Sequence, residues 1–95
     1  MKYMVDIDNT ICKTNGNNYT DASPVFENID KINRLFMEGH EIIYYTSRGG
    51  TTGFNWTAVT TRQLNKWGCM FHYLRMDKPS FDVIIDDKAL RIEEL

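Results

Sequence analysis

Apolar residues in this chain occur in four short runs, and each run is followed by polar residues. Runs of this length that contain β-branched and aromatic residues are typical of strands buried in a sheet. The predicted strands are residues 2–7, 40–46, 69–74 and 81–86.

Helices are predicted between the first three strands. Ser23-Pro24 has the residue types of a helix N-cap and first turn, and Gly39 is expected to end this helix. The residues expected on its buried face are spaced three or four apart: Val25, Ile29, Ile32 and Phe36. A second helix is expected from about residue 55 to residue 67, and the charged tail at 88–95 is expected to be helical.

The alternation of strands and helices predicts an α/β fold. Parallel strands joined by helical crossovers form a sheet that is covered on both faces, so we expect a Rossmann-like, three-layer α/β/α domain over residues 1–95. Ligands of such sheets bind beyond the carboxyl ends of the strands. The predicted functional site is therefore at that edge.

Composition limits the classes of partner. The net charge of -2 argues against a general nucleic-acid binder, although a local basic patch could still engage nucleic-acid ends. No apolar stretch approaches the ~20 residues that span a bilayer, so no membrane partner is expected. Cys12 and Cys69 have neither a metal-binding nor a redox spacing, and no signal peptide is visible, so we expect a cytoplasmic protein.

Two acidic pairs follow apolar runs near the two ends of the chain. Asp6 and Asp8 end the first run, and Asp86 and Asp87 end the last one. Like charges ~5 Å apart repel by roughly 3 kcal/mol at an effective dielectric near 20. Acids gathered at strand ends therefore predict either raised pKa values or a bound divalent cation, and oxygen ligands favour Mg²⁺.

In their order along the chain, these motifs resemble those of the haloacid dehalogenase superfamily of Mg²⁺-dependent phosphohydrolases. The resemblance rests on Asp6-x-Asp8-x-Thr10, Thr46 after the second apolar run, Lys78 before a proline, and Asp86-Asp87. The strings at 44–49 and 78–89 also resemble small members associated with bacterial polysaccharide clusters and phages.

The resemblance implies a phosphomonoesterase and a role for each motif residue. Asp6 would attack phosphorus to give an aspartyl-phosphate, and Asp8 would act as general acid and base. Thr46 and Lys78 would bind the phosphoryl group, joined in substrate binding by Ser47 and Arg48, although Arg48 could equally be a solvated loop residue. The residues implied as Mg²⁺ ligands are Asp6, Asp8 through its backbone carbonyl, Asp86, and Asp87 directly or through water.

Substrate specificity in the superfamily commonly comes from an inserted cap domain, for which this chain has no room. Residues 12–21 are polar and are expected to form only an exposed flap. A capless site is open to a macromolecular substrate or to closure by a neighbouring subunit, so a homo-oligomer is a candidate state. The expected substrate is a small phosphorylated metabolite such as a sugar phosphate.

Three alternatives stay open at this point. One is a phosphatase acting on nucleotides or nucleic-acid ends, and another is a catalytically silent binding domain. The third is a phospho-receiver signalling module, which also uses acids, a Thr and a Lys-Pro. Receivers place Lys-Pro last, whereas Lys78-Pro79 here precedes Asp86-Asp87, so motif order disfavours the receiver.

Overall fold

A computed structural model describes residues 1–50 and 52–95 of the chain. Within these ranges the strands are β1 (Lys2–Val5), β2 (Cys12–Lys13), β3 (Ser23–Pro24), β4 (Glu41–Tyr45) and β5 (Tyr73–Arg75). The helices are α1 (Phe26–Met37) and α2 (Thr57–Lys66), and short 3₁₀ turns lie at Tyr19–Asp21 and Ile92–Glu94.

Three of these strands form a parallel sheet in the order β1-β4-β5. Helix α1 connects β1 to β4, and α2 connects β4 to β5. This arrangement is a small Rossmann-like α/β fold, as the alternation predicts. No helix in the described ranges is long and apolar enough to cross a membrane.

One face of the sheet forms the core. Side chains two apart along a strand share a face, and on this face Val5, Ile42 and Tyr44 are buried. They pack in one cluster with residues of both helices: Ile29 and Ile32 of α1, Leu64 of α2 and Trp67 just beyond it. Both helices therefore cover the same face, as right-handed crossovers require when successive strands progress in one direction.

The opposite face of the sheet has no helical layer within the described residues. Met4, Ile43 and Tyr73 are register neighbours on this face, where Met4 and Tyr73 are 50% and 59% exposed and the central Ile43 is 8% exposed. The expectation of three layers is therefore wrong for the described chain, which forms two. A further crossover in the other direction would be needed to place a helix here.

A small hairpin follows β1 and precedes α1. Strands β2 and β3 pair antiparallel, and Cys12 is buried, so the flap expected at 12–21 is exposed only beyond its first residue. Pro24 pairs with Cys12 rather than starting the helix. The N–H of Val25 donates to the carbonyl of Ile11 at 2.8 Å, which delays the start of α1 to Phe26.

The C-terminal part departs most from expectation. Residues 81–86 form no strand, and every residue from 79 to 91 is exposed. The tail is not an α-helix either, because it forms only the 3₁₀ turn Ile92–Glu94. A parallel strand needs a crossover of about a dozen residues. The five residues 76–80 after β5 are too few, so the apolar run stays outside the sheet.

Candidate active site

The loop after β1 places two carboxylates at the carboxyl edge of the sheet. Ile7 and Ile11 are fully buried, and the carbonyl of Ile7 accepts the N–H groups of Thr10 and Ile11 at 3.1 and 3.0 Å. Asn9 takes a left-handed conformation with φ 63°, which Asn tolerates better than most residues. With Ile7 anchored in the core, its neighbours Asp6 and Asp8 are held by a tight, defined turn.

Asp8 forms an ion pair with a buried arginine. Arg48 Nε donates to Asp8 Oδ2 at 2.9 Å, and Nη2 donates to Asp8 Oδ1 at 2.8 Å. The Thr14 hydroxyl also donates to Asp8 Oδ1, at 2.6 Å. A two-point arginine contact fixes the plane of a carboxylate as well as its position. Asp8 is therefore oriented by a residue that lies forty positions further along the chain.

Arg48 is itself held by residues of α2 and of the flap. Its Nη1 donates to Thr60 Oγ1 at 3.1 Å and to Gln63 Oε1 at 2.6 Å, and Gln63 Nε2 donates to the Tyr19 carbonyl at 2.6 Å. The guanidinium also lies over the Tyr19 ring, 4.9 Å from its centroid. Only 3% of Arg48 is exposed, so it is not a solvated loop residue.

Sequence reasoning missed the supporting residues around Arg48. Thr60 and Gln63 lie three apart on α2, next to the buried Leu64, so they share the inward helix face. A buried threonine and a glutamine on an otherwise apolar face are a signal for a polar partner inside the fold. That signal does not identify Arg48, because the partner comes from another loop.

Asp6 is paired with the predicted lysine. Lys78 Nζ lies 3.2 Å from Asp6 Oδ1, and the Thr10 hydroxyl donates to Asp6 Oδ2 at 3.2 Å. The backbone N–H of Lys78 donates to the carbonyl of Thr46 at 3.1 Å, which ties this loop to the end of β4. The structure therefore brings Asp6, Thr46 and Lys78 together as the motif order predicts.

Thr46 occupies the centre of this edge and is 1% exposed. Its hydroxyl oxygen accepts the Arg48 N–H at 3.2 Å. An accepting hydroxyl keeps its own proton free to donate. Thr46 can therefore donate a hydrogen bond to an oxygen placed above Asp6. The hydrogen bond from the Arg48 N–H to the Thr46 hydroxyl also sets the direction in which the loop leaves β4.

The charges of the first acidic pair are balanced within the chain. Each carboxylate has its own cation, Lys78 for Asp6 and Arg48 for Asp8. The Arg48 side chain is fully buried and that of Asp8 is 19% exposed, so this pair is screened little by solvent. Two side-chain cations therefore face the two carboxylates within one copy of the chain.

The second acidic pair does not join the first within one copy of the chain. Asp86 and Asp87 lie in the exposed segment 79–91, where the N–H of Lys88 donates to Asp86 Oδ1 at 2.8 Å and lowers the pKa of that carboxyl. Among residues 1–50 and 52–95, no three or more Asp, Glu, His or Cys side chains gather as a metal site requires.

An aromatic pocket lies beside the carboxylates. Its volume is about 380 Å³, and Tyr19, Ser47 and Trp56 are among its lining residues. The rings of Tyr19 and Trp56 meet edge to face with centroids 5.1 Å apart, and Phe54 packs on Trp56 at 5.0 Å. Since Tyr19 also covers Arg48, the pocket adjoins the group that orients Asp8.

Neither cysteine has the properties of a nucleophile. Burial raises the pKa of both thiols, that of Cys69 from 9.0 to about 11. A thiol must ionise to attack, and these remain protonated at neutral pH. Neither thiol is therefore a candidate nucleophile for this edge of the sheet.

Comparison with known proteins supports the fold. No protein-family model matches the chain, and no curated protein matches it either. The chain is similar to a crystal structure of a target protein from Vibrio cholerae, with 25% sequence identity and a TM-score of 0.87. The match covers 98% of this chain and 85% of the other.

Proposed function

We propose that the chain is a capless phosphomonoesterase of the haloacid dehalogenase type, with Asp6 as nucleophile and Asp8 as general acid and base. The observation that carries the proposal is the arrangement of Asp6 and Asp8 beyond β1, each facing its own cation, with Thr46 and Lys78 at the same edge. Charge balance of this kind lets an anionic substrate approach an anionic nucleophile.

The first half of the reaction transfers the phosphoryl group to the enzyme. An oxygen of Asp6 forms a bond to phosphorus as the bond between phosphorus and the leaving oxygen breaks. Asp8 gives its proton to that leaving oxygen, and Lys78 and Thr46 bind the phosphoryl oxygens, on which charge is concentrated. The products of this step are the free alcohol and an aspartyl-phosphate on Asp6.

The second half returns the enzyme to its starting state. Asp8, now a carboxylate, takes a proton from water as the water oxygen attacks phosphorus and the Asp6 oxygen leaves. The two Arg48 contacts hold Asp8 in the direction needed for this role. Among the described residues Asp8 Oδ2 accepts only from Arg48 Nε, so its second lone pair is the position that can carry the transferred proton. Arg48 thus acts through Asp8 and is a positioning residue.

The resemblance also implies Mg²⁺, and the residues of a single copy do not fit it. Of the expected ligand residues only Asp6 and Asp8 lie at this edge, Asp8 is expected to bind through its backbone carbonyl, and Lys78 already engages Asp6. One carboxylate and one carbonyl are too few oxygen ligands to hold a divalent ion. The steps above therefore involve only side chains of this chain.

The aromatic pocket indicates where the alcohol part of the substrate binds. Tyr19, Phe54 and Trp56 provide apolar ring surfaces that can pack against the C–H face of a sugar, in keeping with a sugar phosphate. The same rings can stack on a nucleobase, so a nucleotidase is the second candidate function. The unpaired cysteines suit the reducing cytoplasm, where we place the protein.

Phosphate release tests the proposal. The purified chain is assayed on sugar phosphates, nucleotides and end-phosphorylated oligonucleotides, with Mg²⁺ and with EDTA. We expect release that Asp6→Asn abolishes and that Asp30→Asn, at an exposed position of α1, leaves intact. Turnover that survives Asp6→Asn would contradict the proposal, and preference for nucleotides would select the second candidate.

A further inference from the structure

Gln63 links two parts of the site that are distant in sequence. It lies on α2 between the buried Thr60 and Leu64. Its Oε1 accepts from Arg48 Nη1 at 2.6 Å, and its Nε2 donates to the Tyr19 carbonyl at 2.6 Å. A guanidinium only donates and a carbonyl only accepts, so each end of the Gln63 amide has one defined partner. One side chain therefore connects Arg48 to the flap.

The Arg48 end of this link leads to the general acid. The guanidinium is rigid and planar, so the position of Nη1 sets the direction of Nε and Nη2, which hold both oxygens of Asp8. Nη1 has two acceptors among the described residues, Gln63 and the Thr60 hydroxyl, which is 3.1 Å away. Loss of the Gln63 acceptor would leave only the longer contact. The free lone pair of Asp8 Oδ2 would then lose part of its fixed direction.

The Tyr19 end of the link leads to the aromatic pocket. Tyr19 belongs to the 3₁₀ turn Tyr19–Asp21, none of whose residues is buried. Within the ranges that the structure describes, the bond from Gln63 Nε2 is the hydrogen bond that connects this turn to a helix. The Tyr19 ring lines the pocket, meets Trp56 edge to face and covers the Arg48 guanidinium. Gln63 therefore holds a wall of the pocket as well as the cation behind it.

We propose that Gln63 is a positioning residue that serves both ends of the substrate. Through Arg48 it directs the proton of Asp8 at the leaving oxygen, and through the Tyr19 carbonyl it fixes the wall against which the leaving group packs. The inference rests on the proposed function, because it assigns Gln63 a part in that reaction. It narrows the preferred substrates to phosphate esters of ring-bearing alcohols, since only these use both ends of the link.

Four esters separate the two roles. A glucose ester phosphorylated on the primary hydroxyl and glycerol phosphate have alkoxide leaving oxygens, which need a proton, whereas p-nitrophenyl phosphate and acetyl phosphate release anions that are stable without one. The glucose ester and p-nitrophenyl phosphate carry a ring that the pocket can hold, and the other two do not. The measured quantity is kcat/KM, because it reports the formation of the aspartyl-phosphate, whereas the later hydrolysis is the same for all four.

Gln63→Met keeps the length of the side chain and removes both contacts. Its kcat/KM should fall by about tenfold on glycerol phosphate, because the proton is no longer directed. It should fall by about fivefold on p-nitrophenyl phosphate, because the pocket wall has lost a hydrogen bond. The two losses should multiply on the glucose ester, and acetyl phosphate should change by less than about twofold. An equal loss on all four esters would show a purely structural role and overturn the proposal.

Gln63→Glu separates the two ends of the link. A carboxylate oxygen still accepts from Arg48 Nη1, but it has no N–H for the Tyr19 carbonyl. Activity on glycerol phosphate should therefore return to within about twofold of the wild type, while the loss on p-nitrophenyl phosphate remains. Recovery on both esters, or on neither, would contradict the two separate roles. The control Asn65→Met, at an exposed position of the same helix, should keep all four wild-type values.

Amide hydrogen exchange tests the Tyr19 end without reference to catalysis. Amides of flap residues 14–21 should exchange faster in Gln63→Met and in Gln63→Glu than in the wild type and in Asn65→Met, because the turn has lost its bond to α2. Wild-type exchange in both Gln63 variants would overturn this half of the proposal.

Failure of the proposed function is distinguishable from failure of this inference. A wild type that releases no phosphate from any of the four esters would overturn both together. A wild type that is active, beside a Gln63→Met variant that loses nothing or loses equally on every ester, would overturn the role of Gln63 alone. The expected result is an active wild type and a loss in Gln63→Met that is graded in the order described.

Discussion

The two acidic pairs of this chain have the same sequence signature and opposite structural outcomes. Asp6 and Asp8 follow β1 and are each held by a cation, whereas Asp86 and Asp87 end an equally apolar run that lies in the exposed segment 79–91. The difference lies in how each run is connected to the sheet. Strand β1 is joined to its neighbour β4 through α1, while segment 79–91 follows β5 after a connection that is short for a crossover.

The comparison shows that an apolar run followed by acids does not by itself specify a buried strand with a functional end. The chain must also be able to carry that run to an open edge of a sheet. In one copy of this protein only the first run meets that condition. Substitutions in the two acidic pairs should therefore differ in their effects on turnover and on stability.

Asp6→Asn should abolish turnover, while the same change in the control residue Asp30 should not. An amide cannot serve as the nucleophile, and loss of a nucleophile commonly costs a factor of at least ~10³ in rate. Steady-state phosphate release measures both variants. A loss of less than about tenfold in Asp6→Asn would show that the first pair holds no nucleophile.

Asp8→Asn should destabilise the fold far more than Asp87→Asn. The first change leaves the buried Arg48 guanidinium without its carboxylate, a loss of about 2–4 kcal/mol after discounting for the partial exposure of Asp8. The second change is at an exposed position and should stay within about 0.5 kcal/mol. Urea unfolding compares the two, and equal effects would contradict the contrast between the pairs.

Lys78→Met should lower kcat by about 10–100-fold with little loss of stability, because Lys78 faces Asp6 from a partly exposed position. Lys66→Met, at an exposed position near the end of α2, is the matched control. Steady-state kinetics of the two variants should differ clearly. Equal kcat values would remove Lys78 from the site.

Thr46→Val should destabilise the protein by about 1 kcal/mol, since the Arg48 N–H would lose its acceptor. The same change removes the hydroxyl that donates to the phosphoryl group, so kcat should fall by about tenfold. Chemical unfolding and steady-state kinetics measure the two effects. A change in stability with unaltered kcat would limit Thr46 to a structural role.

The last prediction concerns Cys69, which packs against the core and belongs to neither acidic pair. Burial raises the pKa of Cys69 to about 11. The folded state thus disfavours the thiolate, so this contribution to stability is complete below pH 9 and is lost as the pH rises through 11. Unfolding free energies of Cys69→Ala should fall less over that range than those of the wild type. Parallel curves would contradict the shift.

Much of the sheet and of the first pair could be predicted from sequence. Strand β4, helix α1 and the meeting of Asp6 and Thr46 follow from periodicity and from the rule that parallel strands share a carboxyl edge, whereas the place of Lys78 beside them follows from the resemblance in motif order. The residues around Arg48 could not be predicted, because Thr60 and Gln63 of α2 and Tyr19 of the flap reach it from two separate segments. Local patterns do not encode such contacts.

The failed strand has a different cause. Residues 81–86 have every local property of a strand, and the connection before them is short for a parallel crossover. The missing helical layer has a related origin, because both crossovers run in the same direction. Counting connector residues against the height of the sheet would have identified the first failure from sequence alone.

The central claim is that phosphorus becomes bonded to Asp6. The most direct measurement is the mass of the protein quenched during turnover, followed by peptide mapping of the modified residue. The account predicts one added phosphoryl group on Asp6, absent in Asp6→Asn. Turnover without this adduct, or an adduct on Asp8 or on a residue of segment 79–91, would contradict the account.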